Sequence, residues 1–464
     1  MVAVVVPFAL GILFSERVVV PVWLLVVAIA VAAAAILFAR GAWRSVALCA
    51  ALCLVGALLH GVRAERSVPY DRPLRAELCF DDESVEGDGY TRSSARIVRA
   101  EDATLEGWRV VVWGDVGEHF SVGDRLEATI RITRFGGESY GSLMYHRGYV
   151  GTTQLYERGE LRPAPPTMHR WAVERISAAQ PDDAARDVVL AMTTGSKAGL
   201  DASLRKAYAA GGASHLLAVS GLHVGILFLL VNLLMFPLTI VRHGNLLRSL
   251  AVLLGVWGFV ALCGFAPSAV RAAVMFSLLQ LALHSTYDYS SGNILAATAF
   301  VMLLCDTHLL FDISFALSFT AVAAIIFWGV PLCRLLHCRY TLLNLLSSSL
   351  AIGLVATVAT MPMVSAMFGV VSFVGVLLNP LVVVCSYVVV LCGLLSLLLP
   401  GVGVVAHAAA EWQNALVEGA AALEGGHLEM RLSSGALAAL YLLFVALTLV
   451  AWAIRREKRA KFIG

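Results

Sequence analysis

Four polar residues stand out against long apolar runs: His215, Ser220, His223 and Arg271. The first three lie in GGASHLLAVSGLHVGIL, Gly211 to Leu227, at the head of an apolar stretch. On a helix, Ser220 and His223 are three apart and share a face. His215 would sit about 80° round from His223 at 3.6 residues per turn. A serine beside a histidine suits a nucleophile and its base, but that pair needs an orienting carboxylate and none is local. Two histidines suit a metal, but no third ligand follows at helical spacing. Beside these stands a structural reading, with hydrogen-bonded side chains holding helices together inside lipid. Gly221 and Gly225, four apart, would let a neighbouring backbone approach closely.

Arg271 lies in GFAPSAVRAAVM, one turn after Pro267. An arginine at the centre of a bilayer costs roughly 2.5–3.5 kcal/mol even on lenient scales. It must therefore face a carboxylate (Asp288, Asp306 and Asp312 are the candidates), backbone carbonyls, water or a passing anion. Further along, FDISFALSFTAVAAI places Ser314 and Ser318 four apart, on one helix face with Phe311 and Phe315. MPMVSAMFGVVSFVGVLLNPLVV contains Pro362, Asn379 and Pro380. Prolines and an asparagine at membrane depth mark a broken helix, whose freed carbonyls must meet water or protein. Breaks are expected at Pro267, Pro362 and Pro380.

The elements that must carry these residues follow from composition. Of 464 residues, 59% are hydrophobic and 14% charged, which reads as a polytopic α-helical membrane protein. Apolar length suggests roughly nine to eleven spans. Residues 1–62 hold the first of them, and the opening run lacks a basic n-region, so it reads as a retained span. Arg40 and Arg44 read as cytoplasmic, which puts the segment after Val62 on the outer face. The basic run RREKRAK favours a cytoplasmic C-terminus. Of nine cysteines only Cys79 lies in a polar segment, and neither a disulfide framework nor a zinc pair is implied. No resident metal or cofactor is expected, and no phosphate-binding GxxxxGK[ST] loop occurs.

Residues 63–166 differ in kind. An acidic loop, DDESVEGDG, precedes the strand-like runs SSARIVRAE, GWRVVVWGD, DRLEATIRITRF and GYVGTTQLYE. Four or five such strands predict a small inserted β-barrel of the OB type. From Arg63 to Pro166 there are 14 Arg, no Lys and 18 Asp plus Glu, a net charge of −4. That disfavours a general grip on phosphates, which wants a basic stripe. Arg92, Arg96, Arg99, Arg109, Arg131 and Arg134 are the arginines available to cluster on one face, and Trp108, Trp113, Tyr140, Tyr145 and Tyr149 are either stacking platforms or barrel core. RPAPP then forms a stiff linker. Residues 167–211 read as amphipathic helices at the outer interface, and residues 212–464 as the main membrane domain. Within the latter, Ala406 to Leu423 is amphipathic and either lies in the interface or lines a cavity.

The Gly211–Leu227 stretch closely resembles the signature of the ComEC competence family. The similarity extends from about Val62 to about Leu399, through SVGDRLEATIRI, the SAVRA run around Arg271, FDISFALSF and the Asn379–Pro380 stretch. Ala316 and Ser314 stand where the family usually has glutamine and glycine. The resemblance implies a multi-pass channel of the bacterial inner membrane that passes single-stranded DNA to the cytoplasm during DNA uptake. His215, Ser220, His223, Arg271, Ser314, Ser318 and Asn379 would line its pathway, and the OB-like domain would receive the DNA. It also implies partners besides membrane lipid: a periplasmic DNA receptor, a separate nuclease, and a cytoplasmic motor or single-strand-binding protein. The metallo-β-lactamase-like nuclease domain of many members has no counterpart in this sequence, so the chain is expected not to be an enzyme. Two rivals stay open: an intramembrane hydrolase using Ser220 with His223, and a secondary transporter of a small anionic solute with Arg271 as counter-charge.

Overall fold

The computed structural model describes residues 1–448 apart from 19, 39, 65–67, 82–83, 88–89, 116–117, 119, 166, 284–289, 373, 424–426, 430–431, 434, 445 and 447. The basic run RREKRAK and Asp288, one of the expected partners of Arg271, lie outside the described residues. Three helices open the chain: α1 (Val2–Arg17), α2 (Val22–Phe38) and α3 (Ala42–Ala64). α1 carries the polar Ser15, Glu16 and Arg17 in its last turn. α1 and α3 meet backbone to backbone. A Cβ on Gly11 would lie 1.8 Å from the Cys53 carbonyl oxygen, and one on Gly56 would lie 2.3 Å from that of Phe8. Small residues permit such contact, and close packing is what binds helices where lipid removes the hydrophobic drive.

The inserted segment folds as β1 (Pro73–Phe80), β2 (Val85–Gly87), β3 (Tyr90–Ala100), β4 (Arg109–Gly114), β5 (Arg125–Arg131), α4 (Glu138–His146) and β6 (Tyr149–Arg162). Hydrogen bonding runs β1–β5–β6–β4–β3 and returns to β1, closing a five-stranded barrel with β2 paired on β3. All barrel pairs are antiparallel except β4–β6. This is an OB-like arrangement. Register shifts at Glu77/Leu78 and Arg109/Val110 supply the irregular residues that bend strands into a closed ring. Alternation decides the core: Leu74, Ala76, Leu78 and Phe80 of β1 face inward with Ala95, Ile97, Val110, Val112, Leu126 and Ile130. Strand β1 and helix α4 were not among the expected elements.

Three short helices follow: α5 (Met168–Ser177), α6 (Ala184–Thr193) and α7 (Ala202–Ala210). The Asp183 side chain caps α6 by accepting from the Ala185 and Arg186 amides. α6 was expected at a surface but is packed inside, with Ala185 and every residue from Val188 to Thr193 buried. Its apolar face is wider than an interfacial helix needs. A Cβ on Gly393 would meet Thr193 Cγ2 at 2.4 Å.

The main membrane part comprises α8 (Gly221–Leu234), α9 (Gly244–Leu262), α10 (Pro267–Leu283), α11 (Ser291–Cys305), α12 (Ile313–Ala324), α13 (Val330–Leu335), α14 (Thr341–Phe368), α15 (Val374–Leu395) and α16 (Gly403–Ala421). A five-residue π-helix joins α12 to α13. Strands β7 (Val370–Ser372) and β8 (His427–Glu429) form a small antiparallel pair. Pro267 opens α10, where a missing amide costs nothing. The breaks expected at Pro362 and Pro380 do not occur there, because α14 and α15 run on through them. A proline removes one backbone bond, and a well-packed helix survives that loss. The chain instead leaves α14 at Gly369, in the left-handed region at φ 71°.

Among the described residues, five helical stretches are long and apolar enough to cross a membrane: Ala42–Val62, Gly244–Leu262, Ile313–Leu335, Leu343–Met367 and Val374–Leu395. Five shorter apolar helices accompany them. The protein is a polytopic α-helical membrane protein with an inserted small barrel. It divides into two compact units. The first takes in Met1–Ala202, Leu216–Ala316 and Tyr387–Ala410, and the second Ser203–His215, Leu317–Ser386 and Glu411–Gly464.

Candidate functional site

The signature stretch is not one continuous helix. Ser214–Leu216 forms a 3-10 turn and α8 begins only at Gly221, with Ser220 as its N-cap. The Ser220 amide donates to His223 Nδ1 at 3.2 Å, so the imidazole serves the otherwise unsatisfied N-terminus of α8. That use of Nδ1 is not the arrangement of a serine activated by a base. Gly221 and Gly225 face α10, where Cβ atoms on them would meet the Ala272 methyl at 3.8 Å and the Phe276 ring at 3.1 Å. Ser268, at the start of α10, donates its hydroxyl to the Val219 carbonyl. His215 falls in the second unit and Ser220 and His223 in the first.

Arg271 follows Pro267 by one turn of α10 and is 6% exposed. Its Nη2 donates to Ser314 Oγ at 2.8 Å, while Nε and Nη1 are buried without a partner among the described residues. The ion pair expected with Asp306 or Asp312 is not formed. Asp306 accepts the His308 amide at 3.0 Å. Asp312 lies close enough for its charge to act on Arg271. Its Oδ1 is taken by the Ser314 amide at 3.0 Å and by Nε and Nη2 of Arg147 at 3.3 and 3.2 Å. Arg147 is the C-cap of barrel helix α4, so a barrel residue holds the carboxylate beside the membrane arginine.

Next to this pair lies a cluster that single-residue reading missed. Glu16 at the end of α1 accepts from His60 Nε2 of α3 at 2.8 Å and lies 3.3 Å from His146 Nε2 of α4. His60 Nδ1 meets Thr307 Oγ1 at 3.1 Å. Burial pulls the His146 imidazole below its ordinary pKa, opposed by the Glu16 carboxylate. Burial does the same to His308, opposed by Asp306. The sequence signal was slight, since these histidines are scattered singly along the chain.

Ser318 and Asn379 belong to the second unit. Asn379 sits against Gly353, where a Cβ would approach its Nδ2 to 2.8 Å. In the same unit Tyr208 donates to Asn414 Oδ1 at 2.8 Å and accepts from Gln413 Nε2 at 3.1 Å, and Ser386 donates to Gln413 Oε1 at 3.2 Å. Gln413 and Asn414 of α16, a helix expected at an interface or cavity, are thus bonded inside protein, while Glu411 and Glu418 are exposed.

On the barrel, the six arginines do not share one face. Arg92 and Arg96 are four apart on β3, opposite Trp113 and Arg109 of β4. Tyr149 follows Arg109 on β6. These three arginines share an outer face with Trp113, whose ring meets Tyr90 edge-on at 4.9 Å. Asp81 ties two of them down, with Oδ1 3.3 Å from Arg96 Nη2 and Oδ2 2.8 Å from Arg109 Nε. Arg99 lies beyond the bulge opposite Glu77, Arg131 ends β5 opposite Pro73, and Arg134 stands 4.4 Å from the Tyr70 ring centroid. Trp108 is core, with Tyr145 packed on it.

Comparison with known proteins places these features in a lineage. The family model described as "Competence protein" matches residues 192–456. The chain is 34% identical over 139 residues to ComE operon protein 3 of Bacillus subtilis (strain 168), covering 30% of this chain and 18% of that protein. It is 30% identical over 266 residues to an uncharacterized protein of Aquifex aeolicus (strain VF5), covering 56% of this chain and 59% of that one. The chain thus spans less than two thirds of the length of either relative. No solved structure matches it. The family match runs from just inside α6 to beyond α16, more than half of the 464 residues, and this chain belongs to the ComEC family of competence proteins.

Proposed function

We propose that the protein is an inner-membrane channel that passes single-stranded DNA into the cytoplasm during DNA uptake. Family membership supports a role in uptake. The observation that carries the pathway reading is Arg271, a 94%-buried arginine in an apolar helix with two guanidinium nitrogens, Nε and Nη1, unpartnered among the described residues. A buried charge that keeps open donors is costly unless an anion visits it. A passing phosphodiester meets that need without binding so tightly that it cannot leave. Ser314 orients the guanidinium, and the capped start of α8 supplies further polar contacts; Asn379, in the second unit, is a further residue assigned to contact the strand. The barrel face bearing Arg92, Arg96, Arg109 and Trp113 receives the strand by backbone contact and stacking. The reading assigns the chain no hydrolytic step, so a periplasmic receptor, a nuclease and a cytoplasmic motor are separate partners.

The test is Arg271→Ala in place of the native gene, read as labelled DNA reaching a nuclease-resistant state in cells. Uptake is expected to fall by about a hundredfold, while Arg271→Lys, a point charge without the planar fork, retains part of it. Normal uptake by Arg271→Ala at wild-type membrane abundance rules out the pathway role.

A further inference from the structure

We infer that Arg147 of the barrel is a positioning residue that holds Asp312 away from Arg271 and so keeps the Arg271 guanidinium open to a phosphodiester. The inference rests on the pathway reading above and adds its regulation by the barrel. Three observations carry it. Asp312 Oδ1 accepts both Nε and Nη2 of Arg147, at 3.3 and 3.2 Å. Among the described residues, Arg271 is joined to Asp312 through Ser314, whose hydroxyl takes Arg271 Nη2 and whose amide bonds Asp312 Oδ1. Nε and Nη1 of Arg271 have no partner among the described residues although the residue is only 6% exposed.

Two arginines therefore stand on either side of one carboxylate, and the more exposed of them holds it. Were Arg147 withdrawn, the nearest cation to Asp312 would be Arg271, linked to it through one serine. At short range in a buried setting a carboxylate captures a guanidinium, because bidentate charge-assisted bonds are strong and specific. Arg271 would then be neutralised and lost to any passing phosphate. With Arg147 in place, Asp312 is satisfied and the barrel's seating on the membrane part becomes a condition for an open anion site. Arg147 thus reports that the barrel is docked, and does so at the residue the strand must pass.

The experiment compares four variants of the full chain in cells, each checked for membrane abundance and read as nuclease-resistant labelled DNA. Arg147→Ala is expected to lower uptake by about tenfold, the scale of one lost charge-assisted bond. Arg147→Lys keeps a cation at Asp312 and loses less. Asp312→Asn alone stays at or above wild type, since an amide cannot neutralise Arg271. The decisive variant is Arg147→Ala with Asp312→Asn, which is expected to regain most of the loss. If Arg147 served only to dock the barrel, the second change would restore nothing. A double variant no better than Arg147→Ala, or wild-type uptake by Arg147→Ala, overturns this inference while leaving the role of Arg271 standing. Normal uptake by Arg271→Ala instead removes the pathway reading beneath it.

Discussion

His146 and His308 meet Nδ1 to Nδ1 at 3.4 Å, one on barrel helix α4 and the other on the turn between α11 and α12. Two imidazole nitrogens make such a contact only when one carries a proton and the other does not. His146 Nε2 faces the Glu16 carboxylate and donates to it, so His146 Nδ1 is the acceptor and His308 Nδ1 the donor. Protonating His146 sets two N–H groups against each other. Among the described residues, His60, Tyr145, Arg147, Asp306 and Asp312 are the other charged or titratable groups in this neighbourhood.

A pH dependence follows. Both imidazoles are held below their ordinary pKa by burial in the docked protein, so the undocked state takes up protons first. The docked arrangement is favoured fully above about pH 6.5 and weakens as pH falls towards the lowered values. Hydrogen exchange of the Glu138–Arg147 amides should be slow at pH 8 and faster at pH 5.5 by on the order of tenfold, after correction for intrinsic rates. His146→Gln should flatten that dependence. An α4 equally protected at both values would show that the cluster does not govern docking.

The α1–α3 crossing should tolerate no added methyl. Gly11→Ala drives its Cβ into the Cys53 carbonyl, and Gly56→Ala meets that of Phe8, both backbone atoms that cannot rotate away. Each change should destabilise the helix pair by about 1–3 kcal/mol, seen as lower membrane abundance and earlier thermal unfolding in detergent. Gly258→Ala in α9, with open space around it, is the control and should be neutral or slightly stabilising.

Asp81 restrains the arginine face of the barrel, so Asp81→Asn should strengthen oligonucleotide binding several-fold. The change frees Arg96 and Arg109 from their shared carboxylate and removes one negative charge from a segment that carries a net −4. Affinity measured across a salt series should also become more salt-dependent, because more phosphates are neutralised by arginine. Unchanged affinity would mean that the strand contacts another face.

Tyr208→Phe removes one hydroxyl from a buried network and should cost about 1–3 kcal/mol. Asn414 Oδ1 loses the donor it uses at 2.8 Å, in a site closed to water. Thermal unfolding of the purified protein reads the loss. Asn414→Leu combined with Tyr208→Phe should be milder than the sum of the single changes, since the orphaned acceptor is gone.

How much of this was legible beforehand varied by element. Hydrophobic length and strand alternation were enough for a polytopic protein with an inserted barrel, because burial in lipid and in a two-sided sheet imposes periods that sequence displays. The glycines at 221 and 225 and the lone Arg271 were legible for the same reason, since hydrocarbon makes every polar or missing side chain conspicuous. Strand β1 was missed although its alternation is as regular as that of the strands that were found, and the prolines at 362 and 380 were over-read because local propensity yields to packing. What only the tertiary structure decided was partnership. Glu16, His60, His146 and His308 are 44 to 292 residues apart along the chain, and their proximity depends on α1, α3, α4 and the α11–α12 turn all ending at one place. Likewise, nothing local to Asp312 says that Arg147 will claim it before Arg271 does. Charges choose partners by distance and burial, and neither quantity is written in the order of residues along a chain.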